Sequence, residues 1–259
     1  MASTNPASTA KGGMLRLFDR APEPAHLDVA HDGEVYRVAL SRSARSRRFT
    51  LRIRAASRDA LLTMPARASL KAAREFTERH SAWIGVRLAR LPRPVAFEPS
   101  AKTPLRGVDH TIVHRPGARG VVWLETCASG PLICVAGEEP HVPRRVADFL
   151  KREALKDLES AVARHARAMG VQPKRIAVRD TVSRWGSCSS TGRLSFSWRL
   201  ILAPPSVLDY LAAHEVAHMV HLNHSPNFWA VVGRVSPDLK RAEAWLKAHG
   251  PSLHRFGAE

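Results

Sequence analysis

His214-Glu215-Val216-Ala217-His218, followed after five residues by His224, is the stretch on which the reading of this chain turns. Residues at i and i+4 project from one face of a helix, because 3.6 residues per turn brings them nearly into register. Two imidazoles at that spacing grip one zinc ion, and the glutamate between them can poise a metal-bound water as a nucleophile. The pattern predicts a zinc hydrolase, in the first place a peptidase, with His214 and His218 as metal ligands and Glu215 as catalytic base.

The flanks support a helix. Val207, Leu208, Leu211, Ala212, Val216, Met219 and Val220 recur at three- and four-residue steps. Pro204-Pro205-Ser206 reads as a helix start, with Pro in the first turn and Ser as a cap. Asn223 stands where a left-handed cap would end the helix.

A third ligand must come from the residues beyond His218. His221 faces nearly the same way as His214 but lies about 10 Å further along a straight helix axis. Zinc–nitrogen bonds are about 2.0–2.1 Å, so His214, His218 and His221 converge only if the helix breaks. His224 converges if the chain turns back after Asn223. His224 is therefore the predicted third ligand, with His221 as the alternative. The metzincin pattern H-E-x-x-H-x-x-G-x-x-H fails here, because His221 occupies the glycine position and no Met follows Met219. A gluzincin-type downstream carboxylate would have to be Glu243, which reads instead as a solvated group on the last helix.

A wider set of motifs surrounds the pentad: Arg184-Trp185-Gly186-Ser187-Cys188-Ser189, Leu194-Ser195-Phe196-Ser197-Trp198-Arg199-Leu200, Ala203-Pro204-Pro205, Asp209-Tyr210, Asn223-His224-Ser225 with Phe228-Trp229, Pro237-Asp238 and Trp245-Leu246. In these the chain resembles the YgjP-like metallopeptidases, relatives of the SprT and WLM zincins, closely over about residues 165–249. The N-terminal half fits more loosely, through Arg47-Arg48-Phe49-Thr50-Leu51-Arg52-Ile53-Arg54 and Trp83-Ile84. The resemblance implies a zincin with His214, His218 and His224 as ligands and Glu215 as base. It implies no particular substrate.

Composition bounds the rest. The chain has 259 residues, enough for one large or two modest domains with real cores. No apolar run approaches 18 residues, and Met1–Gly13 lacks the apolar core of a signal peptide, so a cytoplasmic protein without a membrane span is expected. Cys127, Cys134 and Cys188 form no C-x-x-C, which favours unligated thiols in a reducing compartment. Forty Lys plus Arg against 23 Asp plus Glu leave a net charge of +17, which attracts polyanions. The densest cluster is Arg42, Arg45, Arg47, Arg48, Arg52 and Arg54. Phe49, Leu51 and Ile53 alternate with the arginines there, placing charge on one sheet face.

The predicted fold class is α+β, a zincin-like C-terminal domain with its active-site helix on a small sheet, preceded by a β-rich N-terminal domain. Residues 1–25 read as a disordered tail, 26–140 as the β-rich domain with one helix over about 69–91, and 141–259 as the metallopeptidase domain. Prolines make 92–118 a loop-rich connection with one strand near His110–Val113. A hairpin is predicted across Ala128-Ser129-Gly130, a long helix from Pro143 to Gly170, and further helices opened by Ser225-Pro226 and Ser236-Pro237-Asp238. One Zn2+ per chain is the expected cofactor and a peptide or protein the expected substrate. Nucleic acid or another polyanion is a candidate partner of the basic N-terminal domain. Tyr210, Arg184 and His221 are candidates for a second oxyanion donor, and the strand near Leu194–Trp198 for adding an extended peptide. Two alternatives stand beside the peptidase: a zinc hydrolase of nucleotide or phosphate substrates, and a nucleic-acid-associated SprT-like protease.

Overall fold

Alternation of apolar and polar residues over 26–65 produces the first of three sheets in the computed structural model, which describes residues 23–55 and 57–257. The tail predicted over 1–25 lies outside the described residues except at 23–25. Strands β1 (His26–His31), β2 (Glu34–Ser43), β3 (Thr50–Arg54) and β4 (Asp59–Pro65) are arranged β1-β2-β4-β3, so β3 is an edge. Asp32-Gly33, both at positive φ, make the two-residue turn joining β1 to β2. Ala60, Leu62 and Met64 alternate inward from β4 and pack with Leu27, Val29, Val38, Ala73 and Ile84.

Two short helices cover this sheet. Ser69 caps α1 (Leu70–Arg79) by accepting from the Ala72 N–H at 3.1 Å. The single helix predicted to about Leu91 is broken at His80 (φ −108°, ψ 10°), and α2 (Ser81–Ala89) starts beyond it. The His80 ring bonds the Phe76 carbonyl at 2.8 Å, so a side chain takes up helical hydrogen bonding where the backbone leaves the helix.

The second sheet runs β5-β6-β8-β7, from β5 (Lys102–Leu105), β6 (Val108–Arg115), β7 (Val122–Cys127) and β8 (Gly130–Ala136). The predicted β7–β8 hairpin is present, but its turn is only Ala128-Ser129, with Gly130 of the expected loop already in β8 and paired to Cys127. The proline-rich stretch holds two strands rather than one. Pro104 sits on the edge strand β5, where a missing N–H costs little, and Arg106-Gly107 at positive φ close the β5–β6 hairpin.

Core membership passes from the first cluster to a second, larger one between Leu88 and Phe97. Ile112, Ile133 and Val135 of the second sheet share that larger core with Val146 and Leu150 of α3 (Val142–Met169). The boundary predicted near residue 140 therefore coincides with no break between cores. Helix α3 stops at Gly170, whose φ of 68° suits a left-handed cap.

A three-stranded sheet, β10-β11-β9, carries the motif-rich segment: β9 (Arg175–Arg179), β10 (Gly186–Cys188) and β11 (Arg193–Ser197). Residues Trp198–Leu202 then form a buried 3-10 turn that the β pattern did not announce. Helix α4 (Pro205–Ala217) is buried almost all round, as befits a helix enclosed by protein rather than lying on a surface. Helices α5 (Pro226–Val235) and α6 (Leu239–Leu253) complete the chain. Ser225 caps α5 as predicted, but Ser206 lies inside α4 and Ser236 is the C-cap of α5, while Pro204 and Asp238 hold the N-cap positions of α4 and α6. Among the described residues no helix is long and apolar enough to cross a membrane.

Candidate metal centre

Helix α4 delivers His214 and Glu215 from its last turn, and His218 is the residue that ends it. The predicted exit at Asn223 is corrected: regular helix stops at Ala217, and Asn223 is not among the positive-φ residues. The turn tightens instead, with i→i+3 bonds from Met219 to Val216 and from Val220 to Ala217, both 3.0 Å. This tightening swings the chain back, and Ser225 then starts α5 by accepting from the Phe228 N–H. His224, just before that cap, is carried over His214.

The outcome is a cluster of three imidazoles. His214, His218 and His224 present nitrogens that all lie within 4.8 Å of one another, and the Nε2 atoms of His214 and His224 are 3.1 Å apart. A tetrahedral ion with bonds of about 2.0–2.1 Å sets its ligand atoms about 3.3 Å apart, so this spacing suits zinc. His218 donates from Nδ1 to the His221 carbonyl at 3.2 Å, which leaves its Nε2 as the lone-pair nitrogen. Burial first, then the neighbouring His218 and His224, hold His214 down to about 4, and burial likewise lowers His218. Both are thus kept in the neutral form that binds metals. His221 contributes its backbone carbonyl and is not part of the cluster. The rings rest on Phe228 and Trp229, with centroids 4.6–5.8 Å away.

Glu215 is only 5% exposed. Burial pushes its carboxyl up to about 7, against the opposing charge of Arg184. Its neighbour across the cleft is Gly186 of β10. A Cβ built there would meet Glu215 Oε1 at 2.4 Å and its carboxyl carbon at 2.8 Å. The carboxylate therefore lies against bare backbone, and any side chain at 186 would occupy its place. A cavity of about 400 Å³ opens beside this contact, lined by Trp185, Tyr210, Leu211, Leu246 and the exposed Glu243 and Lys247 of α6. Tyr210 forms one wall, its hydroxyl held up to about 12 by burial, with Glu243 and Glu215 adding to the effect. Glu243 lies outside the histidine cluster.

The peptide-adding role expected of the strand near Leu194–Trp198 is corrected. β11 is the central strand, paired with β10 on one side and β9 on the other, so it has no free edge. The edge strand of this sheet that meets Glu215 is β10, through Gly186.

Two supports were not foreseen. Asp209, on α4 ahead of the cluster, is bonded by His165 at 3.0 Å and Arg164 at 2.7 Å, both from α3. Burial alone would raise its carboxyl, but these partners bring it below the usual range. The pairing fixes the rotation of α4 against α3. Arg199, buried, donates to both Asp180 oxygens (2.9 and 3.2 Å) and to the Leu253 and Phe256 carbonyls. It ties the end of α6 to the segment leading into β10, where Trp185 packs on His254 with centroids 5.1 Å apart. The signal available was an Asp on a helix face with a His one helix away, and an Arg inside an apolar run; neither names its partner. The three cysteines are unpaired, Cys134 buried, Cys188 half-buried and Cys127 exposed.

No curated protein matches the chain. The crystal structure of the metallopeptidase zymogen of Pyrococcus abyssi abylysin aligns over 35% of this chain and 92% of that one, at 21% identity and a TM-score of 0.33. The family model for the YgjP-like metallopeptidase domain matches residues 47–249, well over half of the sequence, and its span takes in all three histidines and Glu215. The chain belongs to the YgjP-like metallopeptidase family.

Proposed function

We propose that this protein is a zinc metallopeptidase whose C-terminal part has the zincin arrangement, with His214, His218 and His224 holding one Zn2+ and Glu215 acting as the catalytic base. The observation that carries this reading is the convergence of three imidazoles beside a buried carboxyl at the end of one helix. Zinc in such a site supplies a Lewis acid that polarises a carbonyl and acidifies water. Glu215 takes up the proton of the attacking water at its carboxylate and returns it to the leaving amine nitrogen. Gly186 leaves that carboxylate room on the cleft side. Trp185, Leu211 and Leu246 offer apolar wall to a substrate side chain. The free edge of β10 offers backbone groups to an extended peptide, so main-chain bonds supply affinity while the cavity selects side chains.

The test is hydrolysis of casein by the full chain loaded with zinc. Cleavage is expected, abolished by a chelator and restored by added Zn2+. Pyrophosphate or phosphate release from nucleoside triphosphates, with casein left intact under the same conditions, would overturn the peptidase reading in favour of a nucleotide hydrolase.

A further inference from the structure

The arginine-rich edge of the first sheet adjoins a second cavity, on the N-terminal core cluster rather than on the one that holds the histidines. It measures about 340 Å³ and opens between β3 and the α1–α2 junction, where Arg48, Phe49, Phe76, His80 and Trp83 line it. Its size falls at the lower end of ligand-binding pockets, about 300–1,000 Å³. Three of those rings form a stack: Phe49 on Phe76 with centroids 5.1 Å apart, and Phe76 on His80 at 4.3 Å. Trp83 is 39% exposed, an unusual exposure for an indole, and the Arg87 guanidinium lies 5.6 Å over its ring.

The charge around this cavity is largely uncompensated. Arg42 and Arg54 are engaged by Glu23 and Asp59. Arg45, Arg47, Arg48 and Arg52 are exposed and, among the described residues, make no ion pair with an acidic side chain. The carboxylates nearby in sequence are Glu75 and Glu78 on α1, both exposed. Arg48 in the cavity wall, with the exposed Arg45 and Arg47 next to it in sequence, together with the exposed Trp83 and the half-buried Phe49, is the combination that binds single strands, with phosphates on the arginines and unstacked bases on the rings. A duplex buries its base faces in its own stack and cannot use the rings. An acidic peptide without aromatic residues, such as poly-glutamate, would use the arginines but has no aromatic face to offer Trp83.

We propose that this groove binds single-stranded nucleic acid, Trp83 and Phe49 stacking bases while Arg45, Arg47 and Arg48 hold the backbone. The proposal is independent of the zinc chemistry, since this cavity shares no lining residue with the one beside Glu215 and packs on a different core cluster.

The test is fluorescence anisotropy on the full chain with labelled dT12 and U12, a 12-base-pair duplex, poly-glutamate, and vesicles rich in phosphatidylserine. Either single strand should bind more tightly than the duplex, and the tighter of the two identifies DNA or RNA as the ligand. Affinity should fall with salt at a log–log slope of about −0.7 per phosphate engaged. Trp83→Ala should weaken oligonucleotide binding about tenfold, within the range of one lost stacking contact. Arg47→Gln with Arg48→Gln should weaken it further and reduce the salt slope, while casein cleavage and the unfolding midpoint stay at the parent values. Unchanged oligonucleotide affinity in Trp83→Ala, or equally tight binding of duplex, poly-glutamate or vesicles, would overturn the proposal.

Discussion

Glu215→Gln is expected to retain about one zinc per chain and to lose hydrolysis by about 10²–10⁴-fold, the usual range for removing a positioned acid–base group. Glutamine has almost the same shape and is not asked to ligate the metal, so the three histidines remain in place. What it lacks is the site for the proton. The fold should persist, because the Glu215 side chain is buried, and burial there already favours a neutral group over a charged one. The assay pairs metal analysis with single-turnover peptide hydrolysis. Parent-level hydrolysis in this variant would remove Glu215 from the mechanism.

Gly186→Ala should act on the same proton transfer from the opposite wall of the cleft. The added methyl would lie 2.4 Å from Oε1 of Glu215 and 2.7 Å from its Cγ, closer than carbon and oxygen atoms pack. Either β10 moves outward or the carboxylate rotates away. Both displace the base by a large fraction of an ångström, and misplacement of about 1 Å costs on the order of 10²-fold in rate. The loss should fall on kcat, with zinc content near one per chain, because the histidines come from α4 and the segment after it rather than from β10. Overpacking should also lower stability by about 1–3 kcal/mol. A kcat within twofold of the parent would show that the added methyl is accommodated without displacing the base.

The parts of this molecule that repeat locally were readable in advance. Helix α3 announced itself through Val146, Leu150, Leu158 and Val162 at helical steps, and Gly170 ended it. The β7–β8 hairpin followed from its turn residues, and Ser225-Pro226 marked the start of α5. What was lost depended on contacts between distant residues. β10 is three residues long and is a strand only because β11 lies beside it, so no periodicity could reveal it. The helix break at His80 reflects a ring bonding back to Phe76, a choice that intrinsic propensity does not encode. Pro104 disguised β5, since a proline argues against a strand until the strand is known to be an edge.

The site divides in the same way. Helical geometry put His214 and His218 on one face and made His221 a poor third partner on a straight helix. The structure brings His224 to the cluster by tightening the turn from Val216 to His221, earlier than the exit expected at Asn223. The supports around the site, Gly186 against Glu215 and Asp209 between α3 and α4, join residues from separate elements. Residue types alone give no reason to pair them.

Whether His214, His218 and His224 together hold one zinc ion is tested most directly by metal analysis of the full chain purified without added metal, compared with His224→Ala and His221→Ala. About one zinc per chain is expected in the parent and in His221→Ala. The site in His224→Ala should release its metal to a chelator that the parent withstands. Full metal affinity in His224→Ala, or its loss in His221→Ala, would contradict the three-histidine site.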